Sequence, residues 1–525
     1  MVGNEKFVQA AKLYDFVGNC QLADGRTVRN AFRLIGDISL WDCLSSYLIL
    51  YKFPLCLFSE SKPRFSFREI CRPFIGTLSN AYEVRLNRRM MTNVGLVNIP
   101  NADKSNRVLF LGFNETQYRD VLKSVYSSIE SDKSFDQPIV LTNTEEMSAR
   151  KGYLSIWDCY GEEVIKSVNL GLALTKTLKI DLLESITSNV DSVPAGFAID
   201  WIALRRELSW LCNREIPRLV YLAGAVKHVL TNVAPSLVVT ADDADQRSKV
   251  VEFMAKKVCV PTLVVQQGIC RAEYPDWLHF TGNYIAAMSS ISLETMVEQG
   301  VQRHAITVTG HPGHDKLTNR SERDSGSTRE ELKVSGNSFL AIFASQPYVY
   351  GAYTSAEARR RVIREACETI SAIKGVQLVV KAHPSDDIYE LRRMTNHCHG
   401  IQIVDSELEI SRLIAACDVF ITMFSQTTLE ALFANKPVIN IDFPNTVVCS
   451  PFLSGGATIV AKSCDDLRSE IVKLVSKDSQ FFQTEEYISA RDEMISNWAY
   501  RSDGMATKRV VDLIGNIINI PSVTS

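Results

Sequence analysis

Four short stretches in the second half of the chain carry groups suited to gripping a phosphate, and each follows an apolar run that reads as a β-strand. They are Thr309-Gly310-His311-Pro312-Gly313-His314-Asp315, Ala344-Ser345-Gln346-Pro347, Lys381-Ala382-His383-Pro384 and Phe424-Ser425-Gln426-Thr427-Thr428. The last opens a helical run, so its hydroxyls and backbone N–H groups gather at a helix N-terminus, where the helix dipole favours an anion. Lys381 and His383 stand two apart; in an extended segment they point the same way and meet one phosphate. Each stretch also has a purely structural use. Thr427 with Glu430 is a capping box, Pro384 ends a strand, and Asp315 is a plausible helix cap.

In the first half, Thr240-Ala241-Asp242-Asp243-Ala244-Asp245 follows a buried strand, and Gln266-Gln267-Gly268 follows the next. A carboxylate at a strand's carboxyl end can act as general base toward an acceptor hydroxyl, which makes Asp242 and Asp243 candidates. Either of them also suits the cap of the helix Gln246 to Lys257. Arg359-Arg360-Arg361 with Arg364 reads as a solvated helix face, or one that rests on anionic lipid. With only eight histidines in the chain, His311 and His314 do not make a convincing metal site, and none is expected.

The elements that must position these loops repeat. Val108 to Gly112, Pro138 to Thr142, Leu237 to Thr240, Thr262 to Val265 and Ala305 to Val308 are continuous apolar runs separated by helix-prone stretches. Phe339 to Phe343, Val376 to Val380, Val419 to Met423 and Val438 to Ile441 form a second series. Continuous hydrophobicity marks strands covered on both faces, hence parallel α/β sheets, whose ligand loops share the carboxyl edge. The expected organisation is an N-terminal α/β extension at 1–105, a Rossmann-like domain at 106–316, which the resemblance described below makes the acceptor domain, a linker at 317–337 rich in Ser, Arg, Glu, Gly and Asn, a second Rossmann-like domain at 338–490, which that resemblance makes the donor domain, and a crossover helix and tail at 491–525.

With 525 residues, 46% hydrophobic and 22% charged, the chain has the composition of a globular protein of two or three domains. A net charge of −3 gives no attraction to nucleic acid. The N-terminus lacks a signal peptide pattern, no window suits a spanning helix, and thirteen scattered cysteines suggest neither zinc nor a disulfide framework. A cytoplasmic location is expected, with contact at the inner membrane left open.

Taken in order, Val264 to Gly268, Thr309 to Asp315, Ala344 to Pro347, Lys381 to Pro384, Ser425 to Ala431 and Asp503 to Arg509 resemble GT-B glycosyltransferases of bacterial surface polysaccharide synthesis. That group is related to CDP-glycerol glycerophosphotransferases and UDP-N-acetylglucosamine 2-epimerases, and the resemblance spans about residues 235 to 515. It implies a GT-B fold of two Rossmann-like domains facing a cleft, with the C-terminal helix crossing back to the first. It also implies a metal-independent, inverting transferase with no cofactor, moving a sugar from a CMP- or UDP-linked donor to a surface glycan or lipid-linked acceptor of capsule or lipopolysaccharide. On that analogy Gly310 lets the backbone approach the donor, and Lys381 and His383 meet its phosphates. Ser425, Thr427 and Thr428 bind phosphate, Glu430 binds ribose, and His311, Ser345 and Gln346 complete the donor set. Gln267 and Gly268 lie on the acceptor side, with Asp242, Asp243 and His383 as the catalytic candidates. Two departures count: many relatives carry a His where this chain has Gln267, and the epimerases a His-Arg pair where it has Gln346-Pro347. The rival readings are a hydrolysing sugar-nucleotide epimerase and a non-catalytic nucleotide-sugar-binding subunit.

Overall fold

The computed structural model describes residues 2–22, 24–35, 38–57, 106–143, 152–156, parts of 169–186, 199–272, 274–318, 322–336, 338–347, 355–398, 400–405, 408–444, 450–476 and 480–519. Two compact units emerge. One comprises Met1–Ala287, Ser292–Val308 and Lys508–Ser525, the other Met288–Ile291 and Thr309–Thr507.

The first unit holds a seven-stranded parallel sheet of β1 (Val108–Gly112), β2 (Ile139–Thr142), β3 (Tyr153–Ser155), β4 (Leu237–Thr240), β5 (Thr262–Val265), β6 (Tyr284–Ala287) and β7 (Ile306–Val308). Its strand order is β3-β2-β1-β4-β5-β6-β7. Every residue of β1, β4 and β5 is buried, because helices cover both faces, which is why these runs are apolar without alternation. Residues 2–57 join the same core, where Leu13, Tyr14, Trp41 and Leu48 pack in one cluster with Leu109 and Leu111 of β1. The rest of the N-terminal segment up to residue 105 lies outside the described residues.

The second unit holds β8 (Phe339–Ala344), β9 (Val376–Lys381), β10 (Gln402–Val404), β11 (Val419–Thr422), β12 (Val438–Ile441) and β13 (Ile459–Ala461). They pair in parallel in the order β10-β9-β8-β11-β12-β13. In both sheets the first strand lies between the second and the fourth, so the winding reverses between β1 and β4 and between β8 and β11. Connections leave such a point in opposite directions and open a crevice at the carboxyl edge.

Three boundaries differ from the sequence expectation. The second unit begins at Thr309, so Gly310 and His311 belong to it. The segment 317–337 is no linker: it contains the helix Glu322–Glu331, and Thr328 and Leu332 are buried. Arg329 anchors that helix by donating to the carbonyls of Ala416 and Ser338, both at 2.7 Å. Its polar packing leaves no apolar period to read. The C-terminal run is two helices, Glu485–Ala499 and Ala506–Asn519, broken at Tyr500, whose φ is 74°. Asp315 accepts the N–H groups of Ala506 and Thr507 at 2.9 and 2.7 Å, capping the last helix from 191 residues away, while Val510 and Ile514 of that helix are buried in the first unit's core.

Candidate active site

The loops after β8, β9 and β11 meet at the second unit's reversal point. Gln346, just past β8, accepts the backbone N–H of Phe424, just past β11, on Oε1 at 2.9 Å. Ser345 Oγ donates to the Lys381 carbonyl at 3.2 Å and also contacts the Asp386 carboxylate. His383 N donates to Asp386 Oδ2 at 3.0 Å and to Ser345 Oγ at 3.3 Å. Arg359 closes the set, with Nε on the Gln346 carbonyl at 2.7 Å and Nη2 on Asp386 Oδ1 at 2.6 Å.

Both His-Pro pairs are built alike. The Nδ1 of His383 accepts the N–H of Ser385 at 3.1 Å, and the Nδ1 of His311 accepts the N–H of Gly313 at 3.1 Å. A neutral imidazole that accepts at Nδ1 carries its proton on Nε2, so each ring is set as an N–H donor. Partial burial holds the His383 imidazole below its ordinary value; the Asp386 carboxylate opposes this and the Arg359 and Lys381 charges add to it. The His383 residue is exposed, and its ring can meet a ligand. His311 is buried and stacks on His314 with ring centroids 4.4 Å apart. His314 lies against Phe433 and is held well below the usual range by burial and by His311. Gly310 adopts a φ of 80°, a conformation that a β-carbon would strain, where the chain turns into this loop.

Several expected donor contacts are not made as drawn. Lys381 is buried and its ammonium donates to the Asp405 carbonyl, so it serves the β9–β10 edge. Thr428 is fully buried and donates to Asn440 Oδ1 at 3.2 Å, a packing role inside the sheet. Ser345 and the side-chain oxygen of Gln346 are spent on neighbouring loops, framing the site instead of facing a ligand. The Thr427–Glu430 capping box does not form, because Gln426 occupies the N-cap in helical geometry without a side-chain bond. Thr427 Oγ1 is left shielded with no hydrogen-bond partner, while its N–H donates to Ser425 Oγ at 3.2 Å. Ser425, Thr427 and Glu430 are all half-buried at this turn. The arginine cluster is no free basic face: Arg359 is buried, Arg360 bonds Glu357 at 2.8 Å and Glu390 at 3.2 Å, and Arg361 and Arg364 lie 3.9 and 3.7 Å from Glu365 and Glu357.

At the first unit's reversal point, Gln117 Nε2 donates to Asp242 Oδ2 at 2.9 Å, and Asp242 Oδ1 accepts the Ala244 N–H at 2.7 Å. An ionised carboxylate has about four acceptor positions, so two remain. Burial and the neighbouring Asp245 charge push the Asp242 carboxyl up to about 6, against the pull of its two hydrogen bonds. Asp276 is likewise pushed up to about 6 by burial and by the charge of Asp242, with Arg271 opposing. The sequence reading missed Asp276, which sits in an irregular loop with no motif around it. Asp243 is not a candidate base. Its carboxylate is buried, 2.9 Å from the fully buried Lys249 ammonium, and the Thr281 hydroxyl approaches it at 3.4 Å. The helix cap is Asp245, which accepts the Arg247 N–H at 2.8 Å, while Arg247 also reaches the Phe113 carbonyl at 2.9 Å. Gln267 and Gly268 are exposed, in a turn held by Gln266 Nε2, which donates to the Gly268 carbonyl at 2.6 Å and to Ser292 Oγ at 2.9 Å. Among the described residues no group of three His, Cys, Asp or Glu side chains could hold a metal ion, and no helix is long and apolar enough to cross a membrane.

Two doubly wound α/β units, each with polar loops at its reversal point, define the GT-B fold class. The sequence model of the CDP-Glycerol:Poly(glycerophosphate) glycerophosphotransferase family matches residues 175–516, most of the chain, and the protein belongs to that family of transferases. Among solved structures it is similar to a putative UDP-N-acetylglucosamine 2-epimerase from Listeria monocytogenes, at 12% identity and TM-score 0.50, over 79% of this chain and 97% of that one. It is equally similar to S. aureus MnaA in a co-structure with UDP, at 12% identity and TM-score 0.50, over 79% and 98%. A variant of the wall teichoic acid polymerase TagF aligns at 12% identity and TM-score 0.49, over 86% and 98%. No curated protein sequence matches this one significantly.

Proposed function

We infer that this transferase moves a glycosyl or glycerophosphoryl group from a nucleotide-activated donor, CMP-, CDP- or UDP-linked, to a hydroxyl of a surface glycan or lipid-linked acceptor. The observation that carries the reading is His383, an exposed residue in the loop after β9, whose Nδ1 accepts the Ser385 N–H and whose proton is therefore on Nε2. A fixed neutral N–H donor beside a helix-opening Ser/Thr turn suits the phosphate that leaves with the nucleotide. Ser425, Thr427 and Glu430 complete that donor side, with Gly310 and His311 contributing from the preceding loop. The family match and the UDP held by the S. aureus relative support a nucleotide donor.

In sugar transfer the acceptor oxygen forms a bond to the anomeric carbon as the bond from that carbon to the phosphate oxygen breaks. The acceptor proton passes to a general base, for which Asp242 is the proposed residue, and the nucleotide leaves with the electron pair. A single displacement of this kind inverts the anomeric centre and calls on no metal. A lipid-linked acceptor would bring the enzyme to the cytoplasmic face of the inner membrane.

A thermal-shift panel of CMP, CDP, UDP and GDP tests the donor assignment, since a ligand that prefers the native state raises its melting temperature. Stabilisation by one of them, lost in His383→Ala, is expected. No shift with any nucleotide would remove the reading. Transfer abolished by Asp242→Asn separates an enzyme from a non-catalytic binder.

A further inference from the structure

The Arg359–Asp386 pair has its charged atoms turned inward, with side chains only 5% and 2% exposed. Burying two charges is unfavourable unless their remaining hydrogen-bonding capacity is filled, and a hydrophobic pair of the same volume often serves stability as well. Here the capacity is filled by site loops. Asp386 takes Arg359 Nη2 at 2.6 Å on Oδ1, and on Oδ2 the N–H of His383 at 3.0 Å together with the Ser345 hydroxyl. Arg359 Nε, 2.7 Å from the Gln346 carbonyl, holds the loop after β8 directly, and Gln346 in turn holds the loop after β11 through Phe424 N. The Asp386 N–H returns to the His383 carbonyl at 2.9 Å, closing the turn that carries the imidazole. Glu390 is the other carboxylate near the guanidinium, 3.6 Å from Nη1.

We propose that Arg359 and Asp386 are positioning residues for the donor site, a buried ion pair that locks the loops after β8, β9 and β11 into one body and fixes the orientation of the His383 ring. The proposal rests on the donor reading for its consequence in binding, though not for its consequence in the geometry of His383. The fork of Arg359 spans two loops through two differently directed N–H groups, which a lysine cannot reproduce. Neither residue has to touch the ligand.

The test has two readouts on the full chain. In ¹⁵N-labelled protein, with the His383 signals identified by their loss in His383→Gln, the wild-type ring should show the Nε2–H tautomer; Arg359→Lys and Asp386→Asn should convert it to a tautomer mixture. In parallel, titration calorimetry with CDP and UDP should show affinity weakened about tenfold or more in both variants, with KM for donor rising more than kcat falls. Asp386→Glu should recover part of the loss. Should a single variant fail to fold, the charge-free pair Arg359→Leu with Asp386→Asn removes the unpaired charge and should still show the mixture and the weakened binding. A His383 signal unchanged in the folded variants would overturn the proposal. So would unchanged nucleotide affinity despite an altered ring. If the wild type binds neither nucleotide while the ring responds as stated, the positioning stands and the donor reading fails.

Discussion

Gln117 Nε2 and Asp242 Oδ2 lie 2.9 Å apart, and the bond joins the helical turn Glu115–Gln117 after β1 to the loop after β4 at the point where the first sheet reverses its winding. In the second unit Gln346 makes the matching link to Phe424, from the loop after β8 to the loop after β11. Each sheet thus has two of its carboxyl-edge segments linked by a glutamine that follows its first strand. In the first unit the amide steadies a carboxylate; in the second it holds a backbone N–H of the neighbouring loop.

Replacing Asp242 with Asn removes the proposed base and leaves the amide able to bond Gln117. Transfer should fall by about a hundredfold or more, as general acid–base groups commonly contribute about 10² to 10⁴. Nucleotide affinity by calorimetry should stay within about twofold, and a rate close to wild type would reassign the base.

The pH dependence has a definite sign. Asp242 must be ionised to accept a proton and its carboxyl titrates at about 6, so kcat/KM should rise with pH through that value and then level. Asp276→Asn removes a repelling charge, which eases ionisation of Asp242 and should move the rising limb to lower pH. Rate profiles of the two proteins from about pH 4.5 to 8 check this, and coincident limbs would rule out the coupling.

His383→Gln keeps a side-chain N–H donor, while His383→Ala keeps none. If the ring acts by donating Nε2–H, the alanine variant should lose about tenfold or more in affinity for the nucleotide that stabilises the wild type, and glutamine should lose less. Equal losses would point to a role for the ring beyond that single bond.

Asp243 and Lys249 should matter for folding. Removing one partner of a buried pair commonly costs about 3–5 kcal/mol, so Lys249→Met should show that loss in urea unfolding, with the double change Asp243→Leu and Lys249→Met milder than either single variant.

Glu252 gives stability its own pH dependence. Burial first, then the Asp243 charge, raise its carboxyl well above 4.5, so it is protonated in the fold where the unfolded chain would release the proton. Its contribution is complete below 4.5 and is lost as pH climbs toward the folded value. Unfolding free energies of wild type and Glu252→Gln, compared from about pH 4 to 8, should diverge in the variant's favour as pH rises.

Much of this could be read directly from residue order. Runs such as Val238-Val239 and Val379-Val380 are apolar on both faces because helices cover both, so nine strands and the parallel class followed from local pattern. The short strands β3, β6, β10 and β13 did not, since runs of three or four residues, two of them mixing polar and apolar side chains, carry too little pattern to distinguish them from loop. Strand order converts those loops into a site: it places Ser345, His383 and Phe424 side by side though they are separated by up to 79 positions.

The sequence by itself determined which residue types stand at the strand ends, because burial and backbone preference act over a few neighbours and leave a local trace. Which of those residues are consumed by other side chains and carbonyls was decided only by the tertiary structure. Asp242 and Asp243 are adjacent, yet one accepts from Gln117, 125 positions away, and the other is consumed by Lys249. Lys381 and His383 are two apart, yet one is drawn to the Asp405 carbonyl and the other set by Asp386 and Arg359. The physical reason is that a side chain's direction is fixed by the partner that satisfies its charge or hydrogen bond, and only the folded chain decides whether that partner is a near neighbour, as Lys249 is to Asp243, or a distant one, as Gln117 is to Asp242.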